Sequence, residues 1–211
     1  MNIQGFNKVT LLDFPGRVAC TVFTGGCDLR CPFCHNSQLV LQPNHSPIDE
    51  EEVFDLLRRR RGVLEGVALT GGEPLLQPDL ESFLSRVREL GYSVKLDTNG
   101  THPERLARII GEGLADYVAM DIKNSPEKYP ATVGIPGFDV SPVRASAALL
   151  LEGKVDYEFR TTVVAELHDE AGFEGIGGLI HEGLHAASRE DMEKYAAIAS
   201  GYAEHVELRG I

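Results

Sequence analysis

Short apolar runs alternate with amphipathic stretches along most of the chain. A short apolar run beside turn signals is typical of a buried strand, whereas apolar residues three or four positions apart predict a helix. The predicted strands are 17–23, 67–70, 92–96, 117–120 and 155–164. The predicted helices are 46–62, 79–90, 103–110 and 141–151. Strands and helices that alternate at this spacing predict βαβ units and a mainly parallel sheet.

The length of the chain limits the fold. Its 211 residues suit a single domain over 1–211 and fall short of the roughly 250 residues of a complete eight-unit α/β barrel. No apolar run approaches the roughly 20 residues of a membrane helix, and the first residues lack a basic segment followed by an apolar one. We therefore expect a cytoplasmic location, where thiols stay reduced, and no membrane partner.

The chain is acidic, with 32 Asp and Glu against 20 Lys and Arg and a formal net charge of -12. This charge argues against a nucleic-acid partner, because binding to phosphates needs clustered positive charge. The one basic run, 58–61, ends a predicted helix that begins with acidic residues at 49–52. Charges placed this way complement the helix dipole, so the run indicates a solvated helix end.

Three of the four cysteines lie within eight residues, directly after the first predicted strand. Cys27, Cys31 and Cys34 follow two glycines, which let the chain turn tightly enough to bring several thiols toward one centre. We predict that these thiols bind a metal or an iron–sulfur cluster. The alternatives are ordinary buried cysteines, a Cys3His zinc site that includes His35, and disulfides, which the odd local count disfavours.

The fourth cysteine, Cys20, lies on the first predicted strand, and we expect it to pack in the core as a small apolar side chain. If Cys20 were instead a fourth ligand, the cluster would be closed and suited only to electron transfer. The protein would then be a ferredoxin-like or regulatory module and not an enzyme.

Residues that could bind a ligand follow the other predicted strands at their carboxyl ends. Gly-Gly-Glu-Pro at 71–74 follows the second strand, Asp-Thr-Asn at 97–99 the third, and Asp121 and Lys123 the fourth. The carboxyl ends of parallel strands meet at one edge, where α/β folds build their sites, so we expect these loops to converge. Each motif alone is also compatible with an ordinary turn or cap.

The spacing C-x3-C-x2-C, with the aromatic Phe33 before the last cysteine, resembles the cluster motif of the radical S-adenosylmethionine (SAM) enzymes. Residues 2–14 and 35–36 are similar to the activating enzymes of glycyl-radical proteins, in particular those of anaerobic ribonucleoside-triphosphate reductase. The resemblance implies a partial (β/α)6-type barrel. It also implies that three thiolates hold a [4Fe-4S] cluster whose open iron is chelated by the amino and carboxylate groups of SAM.

The same resemblance implies a set of residues around SAM. The motif at 71–74 would meet its amino group, and Asp97, Asp121 and Lys123 would contact the cofactor. Asp97, Thr98 and Asp121 would also hold a monovalent cation against the SAM carboxylate. The predicted cofactor-binding residues are Phe33, His35, Asn36, Gly71, Gly72, Glu73, Asp97, Thr98, Asn99, Asp121, Lys123 and Arg160.

An activating enzyme of this family takes one electron from a flavodoxin- or ferredoxin-type reductant and cleaves SAM into methionine and a 5′-deoxyadenosyl radical. The radical removes a hydrogen atom from a backbone glycine of a partner, which the resemblance implies is anaerobic ribonucleotide reductase. Two other functions remain open, a radical SAM enzyme that acts on a small molecule and the closed-cluster module. A small-molecule enzyme needs a closed pocket, whereas an activating enzyme needs a groove that admits a polypeptide loop.

The chain departs from the family at 171–180, where the region that should supply a helix and a sixth strand is short and rich in glycine. We therefore expect a shortened barrel on that side. Residues 181–185 spell the zinc-protease motif H-E-x-x-H, which works only on a helix. A predicted helix start at 188–191 places the motif in a loop. A closing strand or extended tail is predicted at 205–209.

Overall fold

The computed structural model describes residues 1–41 and 47–180. The strands are β1 (Ile3–Thr10), β2 (Ala19–Thr24), β3 (Gly66–Gly71), β4 (Ser93–Thr98), β5 (Tyr117–Asp121) and β6 (Asp156–Arg160). The helices are α1 (Ser37–Leu41), α2 (Glu50–Arg59), α3 (Leu80–Glu89), α4 (Pro103–Gly111), α5 (Tyr129–Val133), α6 (Ser141–Leu151) and α7 (Glu170–Ile180). A short 3-10 helix covers Pro74–Leu76.

The six strands form one sheet in which neighbours in space are neighbours in sequence, from β1 to β6. Strands β2 to β6 are parallel, whereas β1 runs antiparallel to β2. The apolar pattern does not predict β1, because this strand mixes polar and apolar residues and forms by pairing with β2. In the described part of the chain the sheet stays open, with β1 and β6 at its edges. The predicted mainly parallel sheet of a partial barrel is confirmed.

The helices bury apolar residues in the same core as the strands. On α2, Val53, Phe54 and Leu57 are buried, and the ring of Phe54 lies 5.1 Å from that of Phe83 on α3. The exposed end of α2 carries the basic run, where Arg58 forms ion pairs within the helix. This packing fixes the strands and therefore the side chains that their carboxyl ends present.

Helix α2 begins later than the sequence predicts. The chain is still extended at Ile48, whose backbone N–H donates to the carbonyl of Ile3 at 2.8 Å. Asp49 is the N-cap, and its carboxylate accepts a hydrogen bond from the N–H of Glu51 at 3.0 Å. Pairing with β1 thus delays the helix and shifts its cap.

Strand β6 is shorter than the predicted 155–164 and ends at Arg160. Beyond it the chain turns, and the carbonyl of Val164 accepts hydrogen bonds from the N–H groups of Leu167 and His168 at 3.0 and 2.9 Å. This turn directs the chain into α7 and ends the sheet.

The glycine-rich stretch forms helix α7, and no strand lies within it. A Cβ at Gly172 would lie 2.9 Å from Oδ1 of Asn124, and a Cβ at Gly175 would lie 2.3 Å from Cβ of Ser125. The glycines therefore let α7 pack closely against the loop that follows β5. The expectation that this stretch cannot supply both a helix and a strand is confirmed, because it forms a helix alone.

Some predictions concern residues outside the described ranges: the N-cap at Ser46, the motif at 181–185, the helix start at 188–191 and the strand at 205–209. The short helices α1 and α5 are not predicted, because five residues are too few to show a helical period. Among the described helices, none has the length and apolar character needed to cross a membrane.

Candidate functional site

A cavity of about 350 Å³ lies at the carboxyl ends of the parallel strands. This volume is within the roughly 300–1,000 Å³ typical of small-molecule sites. Its lining contains the complete predicted set: Cys27, Cys31, Phe33, Cys34, His35, Asn36, Gly71, Gly72, Glu73, Asp97, Thr98, Asn99, Asp121, Lys123 and Arg160. The structure therefore brings together the loops that the sequence places at one rim.

The cysteine loop is held on both sides by backbone hydrogen bonds. Gly26, at a φ of 87°, donates to the carbonyl of Leu39, and its own carbonyl accepts from the N–H of Glu73 at 2.8 Å. Further along, Arg30 N–H donates to the carbonyl of Val133 at 2.8 Å. These bonds connect the loop to α1, α5 and the Gly-Gly-Glu turn, so its conformation depends on the whole rim.

The amide of Asn99 reaches the cysteine loop from the end of β4. Its Nδ2 donates to Oδ1 of Asp28 at 2.8 Å and lies 3.7 Å from Sγ of Cys27. Oδ2 of Asp28 accepts a hydrogen bond from Oγ1 of Thr101 at 2.6 Å. Asp28 is absent from the predicted set, and its position between two cysteines is the signal that could have indicated it. Together these groups orient one face of the Cys27 thiol.

Burial favours the protonated form of the Cys27 and Cys31 thiols in the iron-free protein. Burial raises the pKa of Cys27 to about 12. Burial also raises the pKa of Cys31, although the nearby Lys123 acts in the opposite direction. Iron binding must therefore displace protons from these thiols.

The donor set fits an iron–sulfur cluster better than a single ion. A zinc ion requires four ligand atoms within about 2.3 Å of one point. Among the described residues, no group of three or more His, Cys, Asp or Glu side chains is placed to hold a single metal ion. The three thiols instead border one cavity, an arrangement that suits a larger polynuclear centre.

Cys20 does not belong to this cavity. It is completely buried on β2, in the apolar core, and burial raises its pKa to about 12. The prediction that Cys20 is a core residue is confirmed.

Replacement of Cys20 by alanine should therefore leave the iron content of anaerobically reconstituted protein unchanged. The expected cost is a loss of about 1 kcal/mol in the free energy of unfolding, because only one small buried atom is removed. Iron and sulfide analysis with a denaturant titration would measure both quantities. A variant that lost its iron would indicate a cluster with four protein ligands.

The Gly71-Gly72 pair permits a close approach of two backbones. Gly71 has a φ of 117°, and a Cβ at Gly72 would lie 1.8 Å from the carbonyl oxygen of Gly26. The N–H of Gly72 donates to the carbonyl of Thr24 at 2.8 Å, and Nδ2 of Asn36 donates to the carbonyl of Gly71 at 2.9 Å. Only glycine fits at these two positions, and the hydrogen bonds hold the turn against the cysteine loop.

The Glu73 carboxylate is buried and already has three donors within the protein. Oε1 accepts hydrogen bonds from the N–H of Leu75 and Oγ1 of Thr98, and Oε2 accepts from the N–H of Asn99 at 2.7 Å. Burial raises the pKa of Glu73 to about 8, although these donors lower it. The carboxylate thus holds the 97–99 loop in place. A contact between Glu73 and the amino group of SAM stays a prediction.

The raised pKa of Glu73 predicts a pH-dependent stability. The pKa of Glu73 in the folded protein lies above the ordinary value of 4.5, so protonated Glu73 stabilises the fold. This contribution to the free energy of unfolding is complete at low pH and is lost as the pH rises through about 8. The stability advantage of the wild type over Glu73→Gln should therefore fall between about pH 5 and 8, by up to about 1.4 kcal/mol per unit. Denaturant titrations of the iron-free, reduced proteins would measure it. A constant difference would contradict the prediction.

Charged side chains from β4, β5 and β6 form the opposite wall. Nη2 of Arg160 lies 3.2 Å from Oδ2 of Asp97, and its Nε lies 3.3 Å from Oδ1 of Asp121. Nζ of Lys123 donates to Oδ2 of Asp121 at 2.8 Å. Asp121 raises the pKa of Lys123 above its ordinary value, although burial acts to lower it. This wall is therefore a paired set of fixed charges.

Lys95 lies behind this wall, outside the cavity lining, and sequence reasoning missed it. It is 1% exposed on β4, and its ammonium bonds to Asp97. A lysine is almost never fully buried without a partner, so a lysine inside the apolar run 92–96, two positions before an aspartate, is the signal that could have found it.

An open parallel sheet with three thiols, a glycine turn and paired charges at its carboxyl-end rim is typical of α/β enzymes that bind a cofactor there. The family model described as the Radical SAM superfamily matches residues 21–172 of this chain. The chain belongs to this superfamily and is a radical SAM enzyme. Membership implies a [4Fe-4S] cluster and SAM as cofactors.

Relatives with different named activities are similar in sequence to this chain. A Methanocaldococcus jannaschii protein, provisionally named as a glycyl-radical enzyme activating enzyme, is 32% identical over 187 residues, covering 85% of this chain and 75% of that protein. The pyruvate formate-lyase-activating enzyme of Clostridium pasteurianum is 32% identical over 127 residues, covering 58% of this chain and 52% of the enzyme. The 7-carboxy-7-deazaguanine synthase of Methanopyrus kandleri is 34% identical over 143 residues, covering 58% and 54%. The chain spans about half the length of the last two.

Among solved structures, TYW1 with a lysine-pyruvate adduct superposes with a TM-score of 0.55 at 15% identity, covering 88% of this chain and 74% of TYW1. At that identity the likeness concerns the fold alone.

Proposed function

We propose that this chain is an activating enzyme that generates a glycyl radical on a partner enzyme. The observation that carries the proposal is the convergence of three thiols and a wall of paired charges on one cavity. The M. jannaschii relative, named for this activity, supports it because the match extends over 85% of the chain. The similarity of residues 2–14 and 35–36 to the corresponding activating enzymes supports anaerobic ribonucleotide reductase as the partner.

The cysteine loop would hold the cluster. Cys27, Cys31 and Cys34 supply three thiolates, so one iron is left without a protein ligand. The reduced cluster and SAM together supply one-electron cleavage of a carbon–sulfur bond, with methionine and 5′-deoxyadenosine as products and one hydrogen atom taken from the substrate. Asn99 and Asp28 would orient the Cys27 sulfur, and hydrogen bonds to sulfur are one of the terms that set a cluster's potential.

The remaining rim would position SAM. The glycine turn exposes backbone beside the cysteine loop, where a polar ligand can approach closely. Lys123 and Arg160 place positive charge beside Asp121, so the wall offers charges of both signs to the amino and carboxylate groups of SAM. Pro32 and Phe33 line the cavity beside the thiols, which limits access of water to the reacting atoms. The electron would come from a flavodoxin- or ferredoxin-type protein.

A second candidate is a radical SAM enzyme with a small-molecule substrate. The deazaguanine synthase relative favours it, as does a cavity in the size range of small-molecule sites. The two functions share every residue at the cluster, and they differ in whether a polypeptide segment or a small molecule enters the cavity.

The test uses protein reconstituted anaerobically with iron and sulfide, reduced with dithionite and mixed with SAM and candidate glycyl-radical enzymes. A glycyl-radical doublet in the EPR spectrum of the mixture supports the proposal, with a partner whose radical glycine is changed to alanine as the control. Release of 5′-deoxyadenosine without a doublet for any partner favours a small-molecule substrate. If no 5′-deoxyadenosine forms, both proposed enzyme functions are wrong.

A further inference from the structure

All four carboxylate oxygens of the two site aspartates already have cationic partners from the protein. Oδ1 of Asp97 bonds to Nζ of Lys95, and Oδ2 lies 3.2 Å from Nη2 of Arg160. Oδ1 of Asp121 lies 3.3 Å from Nε of Arg160, and its Oδ2 lies 2.8 Å from Nζ of Lys123. Each oxygen of this pair therefore already has a positive side chain of the protein beside it.

The Thr98 hydroxyl is also engaged elsewhere. It donates to Oε1 of Glu73 at 2.9 Å and accepts from the N–H of Gly100 at 3.1 Å. The three groups that the family resemblance assigns to a monovalent cation, on Asp97, Thr98 and Asp121, therefore each already have partners in the chain itself.

Lys95 differs from the other two cations because it has no route to solvent. It is 1% exposed, whereas Arg160 is 38% exposed at the cavity rim. Lys95 and Asp97 are two residues apart on β4, so the strand places both side chains on one face. Nζ of Lys95 lies 5.9 Å from the ring centre of Tyr117 and 3.9 Å from Oε1 of Glu158. The strands around it therefore fix the ammonium beneath Asp97.

The charges in this wall and directly behind it balance without an added ion. Asp97, Asp121 and Glu158 carry three negative charges, and Lys95, Lys123 and Arg160 carry three positive ones. A further cation would enter a site with three fixed positive charges and no unpaired carboxylate oxygen on Asp97 or Asp121. Its Coulomb energy there would be unfavourable, and at low local dielectric such terms are large.

We propose that the buried Lys95 ammonium takes the place of a monovalent metal cation beside Asp97, so that this chain binds SAM without K⁺ or Na⁺. Lys95 is a positioning residue. It fixes the Asp97 carboxylate and neutralises its charge from inside the protein, as a metal cation would otherwise do. The proposal rests on the proposed use of SAM, and it specifies the ionic requirement of that site.

The test is SAM binding to the reconstituted, unreduced holoenzyme, measured by calorimetry. The salts are tetramethylammonium chloride, whose cation is too large for the site, and KCl, NaCl or NH4Cl at equal ionic strength. For the wild type, the Kd should change by less than about twofold between the salts. For Lys95→Met, which keeps the stem and removes the charge, the Kd in tetramethylammonium should rise on the order of tenfold or more. K⁺ or NH4⁺ should then restore most of the affinity.

Lys154→Met is the matched control, because Lys154 is an exposed lysine that pairs with Glu152 outside the cavity. It should behave as the wild type in every salt. Wild-type binding that depends on K⁺, or a Lys95→Met variant that keeps its iron but is not rescued by any small cation, would overturn the assignment to Lys95. The wild-type comparison decides the question even if Lys95→Met does not fold. Failure of the wild type to bind SAM in every salt would overturn the proposed function itself.

Discussion

Replacement of Cys31 by alanine is expected to remove the cluster and, with it, all cleavage of SAM. Cys31 lies between Cys27 and Cys34 in the loop, and the described part of the cavity lining offers no other thiol to replace it. Loss of a direct ligand should exceed the 10–100-fold loss in metal affinity that follows loss of an outer partner, which puts it on the order of 100-fold or more. Iron content, the visible absorbance of the cluster and 5′-deoxyadenosine release should all fall to background.

Cys20→Ala is the matched control for this result, since it removes a thiol from the core and leaves the cavity intact. Circular dichroism of both iron-free variants would establish that each still folds. If Cys31→Ala kept its iron, another residue would have to complete the cluster, and the assignment of the three-thiol site would be wrong.

Replacement of Gly72 by alanine is expected to disrupt the site without touching any ligand. The new Cβ would lie 1.8 Å from the carbonyl oxygen of Gly26, and because the nearest atoms are all backbone, no flexible side chain can move aside. The glycine turn must therefore shift away from the cysteine loop. Overpacking of this kind costs about 3 kcal/mol in the free energy of unfolding. SAM binding should be lost, and a denaturant titration with calorimetry would measure both effects.

Gly111→Ala is the control for a change from glycine to alanine. Gly111 ends α4, and a Cβ added there would meet no atom within 4 Å. Alanine should be neutral there or stabilise the protein by less than about 1 kcal/mol, because it restricts the unfolded chain. Wild-type stability and SAM affinity in Gly72→Ala would show that the two loops are not coupled.

The apolar pattern predicts those elements whose form depends on local burial. The prediction of α6 at 141–151 is confirmed, and the central strands shift by only one or two residues. The errors occur where distant residues decide the structure. β1 exists because it pairs with β2, and α2 starts late because Ile48 first bridges to Ile3. Neither pairing leaves a mark in the local sequence.

The sequence by itself determined the chemistry. Three cysteines are spaced closely in a glycine-flanked loop, and polar residues that could bind a ligand follow the other strands. Together they indicated a three-thiol site at one rim. Only the tertiary structure decided the pairing of charges. It turned Glu73 inward toward Asn99, and it placed Lys95 beneath Asp97 with Arg160 on the other side. Strand register fixes these contacts across residues far apart in the chain, and register follows from the packing of the whole core.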